Sequence, residues 1–236
     1  MKINILADKM ILSEMAADFL VDSILHQPNL LFCAATGSTP TITYHKMVEK
    51  LTLKQASQLR ILKLDEWGGI SMQHPTSCEQ YLQQHIVKPL QILEDRYFGF
   101  HSHPDDPSQE IERIQHILEQ QQAIDLCVLG LGANGHIAFN EPAEQLQAHC
   151  HIARLSPKSL QHSMATQMEE KPTYGLTLGM ADILQSKTII LLISGNHKRD
   201  ISQAFLSKKI TTQLPCLLYT SPSPRDATLS RMPSSA

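Results

Sequence analysis

The sequence predicts a single α/β domain built on a doubly wound, mostly parallel β-sheet with helices on both faces, a Rossmann-like fold. Length and composition agree with this, because 236 residues with 42% hydrophobic content can bury one sizeable core. Short apolar runs also alternate with helical patterns along the chain. These runs are continuous rather than alternating, which is typical of parallel strands covered on both sides.

The individual elements follow from these patterns. Five apolar runs are predicted as strands, at residues 3–6, 30–35, 60–64, 126–131 and 188–193. Helices are predicted between or after them. One follows the turn after residue 35 and ends near residue 53, and others lie at about 79–87, 108–122 and 198–207. The first helix follows the first strand: Ala16, Phe19, Leu20 and Ile24 share one helical face, and Ser13 is available as its N-cap.

Charge and hydropathy exclude several classes of function. The chain carries 20 basic and 23 acidic residues, a formal charge of −3, and no long basic run, so nothing indicates a nucleic-acid partner or an anionic membrane surface. The first residues lack the apolar core of a signal peptide, and no apolar stretch approaches the roughly 20 residues of a membrane helix. We expect a cytoplasmic protein. The five scattered cysteines are interpreted as free thiols without a chemical role.

Ligand sites in such sheets lie at the carboxyl ends of the strands, so the residues after each apolar run share one edge. After the second run comes TGSTP, in which Gly37 permits a tight turn and Ser38 and Thr39 offer hydroxyl groups before a helix begins. Backbone N–H groups at such a helix start can bind a phosphate. An ordinary strand-to-helix turn is the alternative interpretation.

The next two strand ends carry acid and base groups. Asp65 follows the third run and is predicted as a general base, although a turn or helix cap explains it equally well. After the fourth run, LGLGANGHIAFNEP places His136 and Glu141 five residues apart around a glycine-rich turn. A carboxylate near a histidine can fix its tautomer. A metal site is the weaker interpretation, even with His149 and His151 nearby.

The motifs ATGSTP, LDEW, LGLGANGHIAFNEP, YGLTLGMADIL and ISGNHK, in this order, make the chain similar to the glucosamine-6-phosphate deaminase and 6-phosphogluconolactonase superfamily over residues 1–215. GHIAFNEP is specific to the deaminase branch. Within that branch the sequences of these motifs resemble galactosamine-6-phosphate deaminase/isomerase most closely. The resemblance implies aldose-to-ketose isomerisation with deamination, from galactosamine-6-phosphate to tagatose-6-phosphate and ammonia.

The resemblance also implies roles for single residues. Asp65 would move a proton between C2 and C1, while His136 would assist ring opening with support from Glu141. The phosphate is expected at Gly37, Ser38 and Thr39, with Lys198 as its cation. No metal, nucleotide or other cofactor is implied, and the expected partner is a small sugar phosphate. Whether the chain forms a homo-oligomer is left open.

Two departures from the family pattern affect this site. Asn134 stands where glucosamine-6-phosphate deaminases carry an aspartate, and an amide cannot ionise to support His136 in the same way. His162 aligns approximately with a phosphate-binding arginine of those enzymes, so that contact is expected to be weaker or pH-dependent. Together the departures favour a shifted sugar preference. Asn134 and His162 are therefore included among the catalytic and phosphate-binding candidates.

The end of the chain differs from the rest. Residues 221–236 contain five serines and three prolines without a helical or strand period, a composition that cannot bury a core. We interpret residues 1–215 as a C-terminally truncated domain and residues 216–236 as a non-native, disordered tail. A genuine disordered tail is the alternative.

Three other functions are weighed against the galactosamine-type deaminase. Glucosamine-6-phosphate deaminase and 6-phosphogluconolactonase are alternatives within the superfamily. A sugar-phosphate sensor without turnover is the alternative outside enzymes. The joint presence of Asp65, His136 and Glu141 favours an enzyme, because a sensor needs only the phosphate contacts.

Overall fold

Two β-sheets organise the computed structural model, which describes residues 2–121, 123–161, 163–206 and 211–216. The main sheet has five parallel strands in the order β4-β2-β1-β5-β8, and a smaller antiparallel sheet has the order β3-β7-β6. The strands are β1 (Leu31–Ala34), β2 (Arg60–Lys63), β3 (Asp65–Gly68), β4 (Tyr97–Phe98), β5 (Leu126–Gly130), β6 (His151–Ala153), β7 (Tyr174–Thr177) and β8 (Thr188–Leu192).

Helices connect these strands and cover the main sheet. The α-helices are α1 (Lys9–His26), α2 (Thr41–Lys50), α3 (Cys78–Leu82), α4 (Pro107–Gln121), α5 (Pro157–Leu160), α6 (Ser163–Thr166), α7 (Met180–Leu184) and α8 (Arg199–Leu206). A π-helix, Gln83–Val87, continues α3, and 3₁₀ turns lie at Glu94–Arg96 and Asn196–Lys198. The helical segment predicted at 79–87 is thus part α-helix and part π-helix.

The main sheet is buried on both faces, as its continuous apolar strands predict. One face, with Phe32 and Val128, packs against α1 and α2 in one hydrophobic cluster. The other face, with Leu31 and Leu129, forms a second cluster with α4, α7, α8 and the small sheet. The doubly wound α/β architecture predicted from the sequence is therefore confirmed.

The main sheet joins the small sheet at a single residue. Leu64 separates β2 from β3, and its backbone bonds to Ala34 on one side and to Leu178 on the other. Asp65 is consequently the first residue of β3, paired with Thr177 of β7. This junction fixes Asp65 at the carboxyl end of the main sheet.

Two local predictions at the N-terminus are wrong. Residues 3–6 form no strand: they pair with no strand of the described residues, and Ile5 is 87% exposed. The first helix begins at Lys9 rather than after Ser13: Asp8 is its N-cap and accepts a hydrogen bond from the N–H of Ile11. Ser13 is buried inside the helix, while Phe19 is half exposed.

Two findings concern the rest of the chain. None of the helices in the described residues is long and apolar enough to cross a membrane.

Cys216 is buried and donates a backbone hydrogen bond to the Gly135 carbonyl at 3.2 Å. The remainder of the predicted tail, residues 217–236, lies outside the described residues, so the interpretation of residues 216–236 stays a prediction.

Candidate active site

A cavity of about 560 Å³ opens at the carboxyl ends of β1, β2 and β5. This volume is in the range of small-molecule sites. Six of the residues predicted from the sequence line it: Gly37, Ser38, Thr39, Asp65, His136 and Lys198. Asn134 and Glu141 lie behind His136 rather than in the cavity wall. His162 falls outside the described residues.

The loop between β1 and α2 presents backbone donors to this cavity. Gly37 has a φ of 100°, which its missing side chain permits. Its carbonyl accepts hydrogen bonds from the Tyr81 hydroxyl at 2.9 Å and from Thr41 Oγ1 at 3.0 Å. No described residue accepts from the N–H groups of Gly37, Ser38 or Thr39. Such unpaired N–H groups before a helix form a site for an anion.

Asp65 reaches the cavity as an unpaired carboxylate. It is only 8% exposed, and no described residue donates a hydrogen bond to it. Burial, and next the negative charge of Glu66, raise the pKa of Asp65 to about 7, against the opposing charge of Lys63. A carboxylate with a pKa near neutrality can take up and return a proton at working pH.

A buried ion cluster supports the strand that carries Asp65. Lys63 Nζ lies 2.7 Å from Glu66 Oε2 and 2.8 Å from Glu79 Oε2. Glu66 also accepts hydrogen bonds from the N–H groups of Trp67, Cys78 and Glu79, at 2.8–2.9 Å. This cluster is not among the site residues predicted from the sequence. A lysine inside the otherwise apolar run ILKL is the signal that could have revealed it, because a lysine is buried only with charged partners.

His136, Asn134 and Glu141 form a hydrogen-bonded chain. Asn134 Nδ2 donates to Glu141 Oε2 at 2.8 Å, and Asn134 Oδ1 lies 2.6 Å from His136 Nδ1. Glu141 itself is 3.6 Å from that ring nitrogen. The carboxylate can only accept, which orients the amide with its oxygen toward the ring. His136 Nδ1 therefore carries the proton, and the lone pair of the neutral ring is on Nε2.

Two further contacts hold the side chains of Glu141 and His136 in place. The Ser159 hydroxyl, from α5, donates to Glu141 Oε1, and this serine was not predicted from the sequence. Burial alone would raise the pKa of Glu141, but hydrogen bonding from Ser159 and the charge of His136 outweigh it and lower that pKa. The imidazole also lies against Gly132, where a Cβ atom would be 2.3 Å from Nε2.

Exchanging Asn134 for aspartate tests the hydrogen bonds that connect His136, Asn134 and Glu141. Asn134→Asp places a second carboxylate beside Nδ1, which favours the imidazolium, so the pKa of His136 should rise by about one unit or more. NMR titration of the ring protons measures this. Asn29→Asp is the matched control, because Asn29 is exposed just before β1, at the opposite edge of the sheet. An unchanged pKa of His136 in Asn134→Asp would remove Asn134 from contact with the ring.

Lys198 completes the cavity on its β8 side. It ends the 3₁₀ turn Asn196–Lys198 and is half buried, with no ion-pair partner in the described part of the chain. Burial, and next the charge of Lys9, lower the pKa of Lys198. A half-buried ammonium group without an ion-pair partner among the described residues favours a bound anion.

The histidines after the glycine-rich turn do not join the site. His149 Nδ1 lies 2.9 Å from Asp182 Oδ1, and His151 begins β6. Over residues 2–216, apart from those the structure leaves undescribed, no three His, Cys, Asp or Glu side chains are grouped so that they could hold a metal ion.

Comparisons with known proteins find similar sequences and similar folds. Residues 12–228 match the family model of glucosamine-6-phosphate isomerases/6-phosphogluconolactonase. AgaI of Escherichia coli (strain K12), named as a candidate deaminase, is 43% identical over 86% of this chain and 82% of its own length. A glucosamine-6-phosphate deaminase of Geobacillus sp. (strain WCH70) is 33% identical over 89% of this chain and 86% of its own length.

Solved structures share the architecture. A monomeric glucosamine-6-phosphate deaminase of the NagB superfamily superposes with a TM-score of 0.86 at 29% identity, over 94% of this chain and 95% of that one. A 6-phosphogluconolactonase of Shewanella baltica OS155 has a TM-score of 0.72 at 18% identity, over 92% and 91%, and shares the fold. This chain therefore belongs to the glucosamine-6-phosphate isomerase/6-phosphogluconolactonase family, in which it groups with the deaminases.

Proposed function

We propose that this chain converts galactosamine-6-phosphate and water to tagatose-6-phosphate and ammonia. The observation that carries the proposal is the meeting of three groups in one cavity: the unpaired carboxylate of Asp65, the imidazole of His136 and the anion-binding loop at 37–39. An aldose-ketose isomerisation needs a base at C1 and C2, and ring opening needs a group that moves a proton between oxygens.

In the chemical steps, His136 and Asp65 each take up one proton and deliver one. His136, with its Nε2 lone pair, takes the proton of the O1 hydroxyl and delivers one to the ring oxygen, which opens the ring. Asp65 then takes the proton from C2 while O1 receives a proton from the C2 ammonium group, which forms the enolamine. Asp65 returns its proton to C1, and the nitrogen lone pair forms the C2 iminium. The resulting C2 iminium adds water and releases ammonia, leaving the keto group at C2. Asp65 is regenerated as a carboxylate, so no cofactor is consumed.

The sugar preference rests on sequence. The motifs resemble the galactosamine type most closely, and Asn134 replaces the aspartate of glucosamine enzymes in contact with His136. Glucosamine-6-phosphate, which differs in the orientation of the C4 hydroxyl, is the second candidate, because a deaminase for that sugar is 33% identical to this chain.

An assay with three substrates tests the proposal. Purified protein is incubated with galactosamine-6-phosphate, glucosamine-6-phosphate and 6-phosphogluconolactone, while ammonia and lactone hydrolysis are followed. We expect ammonia from both amino sugars, with the higher kcat/KM for galactosamine-6-phosphate. A higher kcat/KM for glucosamine-6-phosphate would overturn the sugar preference alone. Lactone hydrolysis without any ammonia would overturn the deaminase function.

Removing the cation of the cavity should weaken substrate binding. Lys198→Ala deletes an ammonium group that contacts the phosphate in the ground state and the transition state alike, so KM should rise about tenfold or more with kcat nearly unchanged. Steady-state kinetics of ammonia release separate the two constants. A fall in kcat at saturation with an unaltered KM would argue against a phosphate-binding role for Lys198.

A further inference from the structure

Lys9 joins the first helix to the loop at 37–39. It is the first residue of α1 and is half buried. Its Nζ donates a hydrogen bond to the Ser38 carbonyl at 2.8 Å, and Ser38 lines the cavity. Neither the motifs of the sequence nor the proposed reaction assigns a role to this lysine.

The contact sets the direction of a backbone donor. In a trans peptide the carbonyl of one residue and the N–H of the next point in opposite directions. By holding the Ser38 carbonyl, Lys9 orients the N–H of Thr39 away from itself. Tyr81 and Thr41 hold the Gly37 carbonyl and thereby orient the N–H of Ser38. The two carbonyls that would repel an anion are thus both engaged by donors.

The same lysine adds positive charge beside Lys198. The charge of Lys9 contributes to lowering the pKa of Lys198, so the two ammonium groups interact. No carboxylate in the described residues forms an ion pair with either of them. Positive charge close to the N–H groups of residues 37–39, with no carboxylate of the described residues paired to it, favours binding of an anion there.

We propose that Lys9 is a phosphate-positioning residue, which orients the loop at 37–39 through the Ser38 carbonyl and places a positive charge against that loop. That the phosphate belongs to an amino sugar rests on the proposed function, whereas binding of the phosphate group itself does not. Lys9 is outside the cavity lining, so its effect is exerted through Ser38 and through charge.

Three variants at this position separate the two effects. Lys9→Met removes both the charge and the hydrogen bond and should weaken binding of inorganic phosphate about tenfold, since a charge-assisted hydrogen bond is lost. Lys9→Gln keeps a donor without the charge and should weaken it less, with a smaller dependence on salt than in the wild type. Lys9→Arg should retain most of the affinity. Lys54→Met, which removes an exposed lysine charge, is the control and should bind phosphate as the wild type does.

Calorimetry of inorganic phosphate binding and steady-state kinetics are the measurements. We expect KM to rise in Lys9→Met by the same factor as the dissociation constant of phosphate, with kcat and the melting temperature unchanged. Unchanged phosphate affinity, or a loss that Lys9→Arg does not rescue, would overturn the inference. If the wild type releases no ammonia while Lys9→Met still weakens phosphate binding, the proposed function fails and the inference stands. If ammonia release is normal and phosphate binding is insensitive to Lys9→Met, the inference alone fails.

Discussion

Asp65→Asn is expected to abolish ammonia release while leaving sugar-phosphate binding nearly intact. The amide keeps the shape of the side chain but cannot take the C2 proton. We expect kcat to fall by about 10³-fold or more, since general base catalysis is worth about 10²–10⁴-fold. Turnover is measured from ammonia, and binding from calorimetry with inorganic phosphate. Turnover equal to that of the wild type would remove Asp65 from the mechanism.

The same substitution should stabilise the fold at alkaline pH. The pKa of Asp65 is about 7 in the folded chain, above its ordinary value of 3.8. Below pH 3.8 the carboxyl group of Asp65 is protonated in the folded and the unfolded state, so it does not lower the free energy of unfolding. Between 3.8 and 7 only the unfolded state ionises, so the folded state is increasingly disfavoured, and above 7 the cost is constant. At pH 8 it approaches an upper bound on the order of 4 kcal/mol.

Asp65→Asn removes this cost, so the variant should unfold at a higher urea concentration than the wild type at pH 8. At pH 5 the difference between the unfolding midpoints of the variant and the wild type should be less than half of the difference at pH 8. Urea unfolding at both pH values measures it, with Asp105→Asn, at an exposed carboxylate, as the control. A gap of the same size at pH 5 and pH 8 would contradict the raised pKa. The wild-type kcat/KM should correspondingly increase with pH up to about 7, as Asp65 ionises.

Gly132→Ala is expected to reduce kcat about 100-fold without unfolding the chain. The new methyl group would lie 2.3 Å from His136 Nε2 and 2.4 Å from Cδ2, so the imidazole must leave its position beside Asn134. Without that contact the ring loses its fixed tautomer and its alignment for ring opening. Steady-state kinetics give kcat, and NMR reports the environment of the ring.

A neighbouring glycine supplies the control for that substitution. A Cβ atom at Gly130, the last residue of β5, would meet no protein atom within 4 Å apart from its chain neighbours. Gly130→Ala should therefore keep the wild-type kcat and the wild-type NMR signals of His136, and any contact of its methyl group with the sugar would change KM. Equal kcat values in Gly132→Ala and Gly130→Ala would show that the packing of the ring on Gly132 has no catalytic importance.

The main sheet could be predicted from the sequence, but the small sheet could not. The runs at 30–35, 60–64, 126–131 and 188–193 are continuous and apolar, a pattern with one simple structural solution. The run at 3–6 has similar composition, yet it is exposed, because local propensity does not supply a pairing partner. The small sheet is built from segments of three or four residues, too short for a periodic signal.

The places of the candidate site residues could be predicted where the end of a strand decides them. Gly37, Asp65 and His136 each follow a predicted strand, and the topology of a parallel sheet brings such residues together. Lys9 and Ser159 are 29 and 18 positions away from their partners Ser38 and Glu141. Contacts of this kind depend on tertiary packing, which no local pattern records. For Asn134, the sequence indicated a loss of charge but not that its amide would connect Glu141 to His136.

A crystal structure with an open-chain analogue, 2-amino-2-deoxygalactitol 6-phosphate, tests the central claim most directly. This compound keeps the amino group and the phosphate but has no carbonyl and cannot react. We predict its phosphate on the N–H groups of residues 37–39 with Lys198 beside it, and its C1 and C2 atoms about 3.5 Å or less from the Asp65 carboxylate, the distance of a reactive pair. A phosphate bound elsewhere, or C1 and C2 turned away from Asp65, would contradict the account.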